Sequence, residues 1–101
     1  AGMDQIYLKR WSEAIKIWEA GLKETNSSSL SARLSHNIAV AYEITGDVRK
    51  AKSYSDSAIE YFTSNYVTNF DHFFTANNYN EELEKRLREV EKINLQLGTN
   101  Q

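Results

Sequence analysis

Leu30-Ser31-Ala32-Arg33-Leu34-Ser35-His36-Asn37-Ile38-Ala39-Val40-Ala41-Tyr42-Glu43-Ile44-Thr45-Gly46-Asp47-Val48-Arg49-Lys50-Ala51 holds two apolar stripes joined by a turn. In its first half Leu30, Leu34, Ile38, Ala41 and Tyr42 keep spacings of three and four, the signature of one helical face. Thr45-Gly46-Asp47 then supplies a glycine suited to end a helix and an acidic side chain suited to start the next. Beyond it Val48, Ala51, Tyr54, Ala58, Ile59 and Phe62 gather on one side, while Arg49, Lys50, Asp56 and Glu60 fall on the other. The spacing predicts helices over 30–45 and 48–65, folded into an antiparallel hairpin.

Working toward the N-terminus, Ile6, Trp11, Ala14, Ile15, Trp18, Gly21 and Leu22 form a further stripe, so a helix is expected over 4–25. Asn26-Ser27-Ser28-Ser29 interrupts it with side chains that compete for backbone hydrogen bonds, making a loop and offering an N-cap. Toward the C-terminus, residues 67–78 mix Asn and Thr with Phe70, His72, Phe73 and Phe74, too many poor helix formers for a helix. A structured aromatic loop is expected there. Asn78, three residues before Glu81, resembles a capping box, and Tyr79, Leu83, Leu87, Val90, Asn94 and Leu97 follow as an apolar seam. A last helix is therefore expected over 79–97, ending at Gly98. The fold class is all-α: a stack of antiparallel helix hairpins, about four helices, closed by a C-terminal capping helix.

Composition narrows the function. One domain is all that 101 residues allow, and one modest core, which leaves no room for an active site between two domains. Twelve Lys and Arg against fourteen Asp and Glu leave a net charge of -2, no field to attract nucleic acid or anionic lipid. The absence of cysteine excludes a disulfide framework, thiolate zinc and a catalytic thiol. The absence of proline favours long helices over turn-dense sheets. No apolar run reaches the roughly 18 residues of a bilayer span, and Ala1-Gly2-Met3 does not open a signal peptide.

The sequence also repeats. Trp11 to Leu22 lies on Val48 to Ile59 with a constant shift of 37, so that Ala14 matches Ala51, Gly21 matches Ala58 and Leu22 matches Ile59. Small side chains seven apart let a neighbouring helix approach closely. With Asn37-Ile38-Ala39-Val40-Ala41-Tyr42, Gly46-Asp47, Ala51 and Ala58 at these spacings, residues 32–65 resemble a tetratricopeptide repeat, a unit of about 34 residues. The resemblance implies a half repeat over about 4–25 and a full repeat over about 30–65, and the half repeat implies a fragment in which something else covers Trp11 and Trp18 or continues the stack. The sequence departs from that family at Ser55, which replaces a bulky aromatic, at Thr63, where proline is common, and in a longer loop between units. Trp11 to Tyr61, with Tyr79, Leu83, Arg86, Leu95 and Gln96, is also similar to the C-terminal part of an uncharacterised lipoprotein family of anaerobic gut bacteria. That family has no assigned activity and implies a periplasmic or cell-envelope location.

Candidate chemistry is sparse. Trp11 and Trp18 share a face, where they either wall a ligand or fill a core, and the core is the simpler reading. His36 has neither histidine nor carboxylate four residues away, so no helical metal pair forms around it. Asp71 beside His72 has the form of an oriented base, yet no nucleophile motif or anion loop accompanies it. The charges from Glu81 to Lys92 read as a solvated face braced by Glu81–Lys85, Glu82–Arg86 and Glu84–Arg88 pairs.

In the resembled repeat family the first helix of each unit lines a concave groove. The matching positions here are Arg33, His36, Asn37, Val40 and Glu43, which helical spacing gathers on one side. Arg33 and Asn37 also stand where related repeats clamp a C-terminal carboxylate, but that clamp draws on three units. The expected function is a non-enzymatic interaction module with no cofactor, taking a protein or peptide on these five residues. The expected assembly is a monomer or weak homodimer. The alternative is a homodimerising spacer held through Leu83, Leu87, Val90 and Leu97; a hydrolase on Asp71 and His72 is a distant third.

Overall fold

A computed structural model of the chain describes residues 5–64 and 70–99, and there the chain is helical with three-residue connections. The helices are α1 (Gln5–Glu24), α2 (Ser28–Ile44), α3 (Val48–Ser64) and α4 (Phe70–Thr99). Each packs on the next, α1 on α2, α2 on α3 and α3 on α4, making an all-α stack. No described helix is long and apolar enough to cross a membrane.

The connections follow the expected chemistry. Ser27 caps α2 from an extended backbone, its Oγ accepting the Leu30 N–H at 3.2 Å. At the far end of α2 the Gly46 N–H donates to Glu43 O and the Asp47 N–H to Tyr42 O, at 3.0 and 2.8 Å. This double closure needs a left-handed residue, and Gly46 takes φ +98. Asp47 then starts α3 by accepting the Lys50 N–H on Oδ1 at 3.0 Å. With the turn closed in three residues, α3 returns antiparallel along α2.

Small side chains set how closely these two helices approach. The buried stripe of α3 is Ala51, Ser55, Ala58 and Phe62, while α2 buries Ser31, Ala32, Ser35, Ile38, Ala39 and Ala41. Between α1 and α2 the filling is larger: Ile15, Ile38 and Ala41 form a core against which Trp11, Trp18, Leu22, Tyr42 and Tyr54 pack. Both tryptophans thus serve the core. A second core joins Ala32, Phe62 and Ala76, with Ile59 and Phe73 against it, and fastens α4 to the hairpin.

The loop expected over 67–78 is corrected by that second core. Positions 67–69, like position 4, lie outside the described residues, but 70–78 are the first turns of α4, and Asn78 is interior to a helix rather than its cap. Packing overrides propensity here. Phe73 meets Phe62 edge to face, with centroids 6.1 Å apart, and Ala76 is buried. Asn80, another poor helix former, donates through Nδ2 to Ser55 Oγ and Asp56 Oδ1 at 2.9 and 3.0 Å. Ser55, where the resembled repeats carry an aromatic, is therefore the buried acceptor that admits α4.

At 30 residues α4 is much longer than the 17-residue α3 it lies on. At about 1.5 Å per residue it outruns α3 by roughly four turns. Leu83 is fully buried, whereas Val90, Ile93 and Leu97 are exposed along the overhang.

Candidate functional site

Helical spacing does place Arg33, His36, Asn37, Val40 and Glu43 along one side of α2, but α4 lies over part of that side. Glu43 is engaged by it. Tyr79 Oη donates to Glu43 Oε1 at 2.8 Å, and Arg86 Nη1 donates to Glu43 Oε2. Burial pushes the Tyr79 hydroxyl up to about 12, so it stays a donor throughout the physiological range. The His36 ring stands edge-on to Tyr79 with centroids 5.2 Å apart. Val40 is half-buried, and only Arg33 and Asn37 of the five are exposed.

Where α4 starts, these residues border a cleft of about 130 Å³. Arg33, His36 and Asn37 line it from α2, Phe62 from α3, and His72 and Thr75 from α4. The His36 Nδ1 is buried with no hydrogen-bond partner among the described residues. Burial, and secondarily the nearby His72, hold the His36 pKa below its ordinary value, so the ring is neutral at pH 7. Arg33 brings a guanidinium to the cleft. Among the described residues no three His, Asp or Glu side chains gather as a metal site.

The expected five-residue face of α2 does not include Phe62, which belongs to the apolar stripe of α3, nor His72 and Thr75, which fall in the stretch expected to be a loop. The signal that finds His72 and Thr75 is the spacing of Phe73, Ala76, Asn80, Leu83 and Leu87, which carries the final seam back to Phe73 and so sets both on a helix.

The charge run is only partly internal to α4. Arg88 pairs with Glu84 at 3.4 Å and Lys85 with Glu82 at 3.5 Å, but Arg86 reaches Glu43 and Glu84 also takes Lys52 of α3 at 3.1 Å. Burial alone would lower the Lys52 pKa; bonds to Asp56 and Glu84 outweigh it and raise the value.

The profile of a family described as a domain of unknown function, DUF6340, matches residues 2–85. The chain belongs to this family. No curated protein and no solved structure matches it. The DUF6340 match takes in all six cleft residues and Tyr79, and it stops one residue before Arg86.

Proposed function

We propose that this DUF6340 chain is a non-enzymatic protein-interaction module, built on a tetratricopeptide-like repeat, that takes a peptide or partner domain along the exposed edge of α2 and the start of α4. The observation that carries the reading is the cleft between those helices. Its volume of about 130 Å³ is below the ~300–1,000 Å³ of small-molecule pockets and suits one anchoring side chain of a larger partner. Arg33 and Asn37 stand exposed at its rim, one offering charged donors and the other both a donor and an acceptor. Phe74, 56% exposed on α4, adds apolar contact area nearby.

Proteins captured from the native host with this chain as bait supply the partner for the test. Arg33→Ala with Asn37→Ala is expected to weaken its binding at least about tenfold while stability stays within about 0.5 kcal/mol, as for exposed substitutions. Undiminished affinity in the folded double variant would remove this edge from consideration.

The overhang of α4 favours a second reading, a homodimerising spacer, because Val90, Ile93 and Leu97 keep heptad-like spacing and are exposed. Against it, Ala76 and Leu83 of the same seam are already buried within the chain. Under two heptads remain. The expected result in light scattering at micromolar concentration is therefore a monomer; a tight dimer that Leu97→Glu converts to a folded monomer would promote the spacer.

A further inference from the structure

We infer that the outer face of α1, centred on Ile17, docks a helix of a partner protein, one presenting a strip of small or aliphatic side chains with a lysine or arginine toward each end of it. The internal repeat supplies the template. With the shift of 37, α1 corresponds to α3: Glu13 to Lys50, Ala14 to Ala51, Ile17 to Tyr54 and Gly21 to Ala58. In α3 Ala51 and Ala58 are fully buried, Tyr54 stacks on Tyr42 of α2 with ring centroids 5.6 Å apart, and Lys50 Nζ stands 5.3 Å from the centre of that same ring. Among the described residues nothing comparable covers the counterparts on α1. Ile17 is 69% exposed, Glu13 is exposed, and Ala14 and Gly21 are only half-buried.

The core does not account for this face. Ile15 is buried with Trp11, Trp18 and Leu22 against it, whereas Ile17 lies roughly 200° further round the helix. A β-carbon at Gly21 would meet Leu34 Cδ1 at 3.5 Å, an ordinary contact, so α2 leaves room for a side chain where the helix carries its least favourable residue but proline. An exposed aliphatic side chain set beside small ones suits the close approach of another helix. Charge then fixes the ends of the strip. Glu13 and Glu24, three turns apart on one side, are exposed and enter no ion pair among the described residues. Lys16 and Lys23 fall further round the helix, and Lys9 and Arg10 lie a turn before Glu13, so acids bracket the apolar stretch. A helix with cations at both ends of its strip complements them. No described residue of α1 lines the cleft, and the two surfaces are therefore independent.

The probe is a 17-residue peptide of the α2 sequence, Ser28–Ile44, cross-linked on its outward side because so short a helix is marginal in water. Two forms carry Tyr42→Arg or Tyr42→Glu, at the position that the template sets against Glu13. Binding to the whole chain is followed by NMR at low ionic strength. Expected are shifts centred on Glu13, Ala14, Ile17 and Gly21, with the Tyr42→Arg peptide bound about three- to fivefold more tightly than the Tyr42→Glu peptide. Glu13→Lys in the chain should reverse that order. Ile17→Glu should weaken the Tyr42→Arg peptide at least about tenfold and leave the urea midpoint unchanged, since Ile17 is exposed. No binding, shifts confined to α2 and α3 through exchange with the chain's own α2, or a preference that Glu13→Lys does not alter would each overturn the surface. Association between copies of the chain that Ile17→Glu disperses would give the face to a second copy, and loss of peptide binding in a longer form of the chain would give it to a preceding helix; either would overturn the partner. A captured partner lost on Ile17→Glu but kept on Arg33→Ala with Asn37→Ala would support this face and remove the cleft edge.

Discussion

Leu83→Ala should lower the stability of the fold by about 2–5 kcal/mol, the range for truncating a fully buried leucine. Leu83 has no exposed surface and is, with Ile38, among the largest side chains wholly enclosed in this small stack. For a domain whose entire stability is about 5–15 kcal/mol, such a loss is severe. The reason lies in how α4 is held. Its first turns are rich in Asn, Thr and aromatic residues and gain little from helix propensity, so Phe73, Ala76 and Leu83 must fasten them by packing. Losing three carbons at Leu83 opens a void at the middle of that attachment. The measurement is the urea midpoint, read with the slope to confirm that the denatured state is unchanged. A midpoint equal to wild type would mean that α4 does not dock through Leu83.

Ala58→Leu is the converse experiment, filling space instead of emptying it, and about 1–3 kcal/mol of destabilisation is expected from overpacking. Ala58 is fully buried in the stripe with Ala51, Ser55 and Phe62. Three added carbons at the centre of that stripe have nowhere to go without parting α3 from its neighbours. Ala20→Leu on α1 is the control, since Ala20 is exposed, and its effect should stay within about 0.5 kcal/mol. Equal midpoints for the two variants would show that the small residues of α3 do not mark a close helix contact.

The hairpin was legible because its signals are local. Gly46, Asp47 and Ser27 act on hydrogen bonds within a few residues of themselves, and the apolar period of each helix is read without knowing its neighbour. Ala51 and Ala58 announced a close contact for the same reason, their spacing being a property of one helix. The start of α4 was not legible, because Asn77 and Asn78 disfavour a helix that packing on Ala32, Ile59 and Phe62 and the bond to Ser55, all earlier in the chain, make worthwhile. That misreading carried into the site. Arg33, Asn37 and His36 were found from the face of α2, but nothing in that face shows that Tyr79 and Arg86 occupy Glu43, or that His72 stands opposite His36. Contacts between α2 and α4 span 36 to 43 positions, and no periodicity within a helix encodes them.

The polar links between neighbouring helices recur with the sequence repeat. Tyr42 Oη donates to Glu19 across α1 and α2, and Asn80 donates to Asp56, the position 37 beyond Glu19, across α3 and α4. The small buried side chains of α3, Ala51, Ser55 and Ala58, offer little to stop a helix from sliding a turn, about 5.4 Å, along it, because small group meets small group again after the step. Tyr42, which reaches Glu19, would meet Ile15 or Lys23 one turn away, and Asn80 holds Ser55 and Asp56 together, a pair that no other turn of α3 repeats. These links therefore act as detents against slippage more than as cement, and removing Glu19 or Asp56 would show itself as a blurring of helix register, several alignments of nearly equal energy, before it showed as a loss of melting temperature.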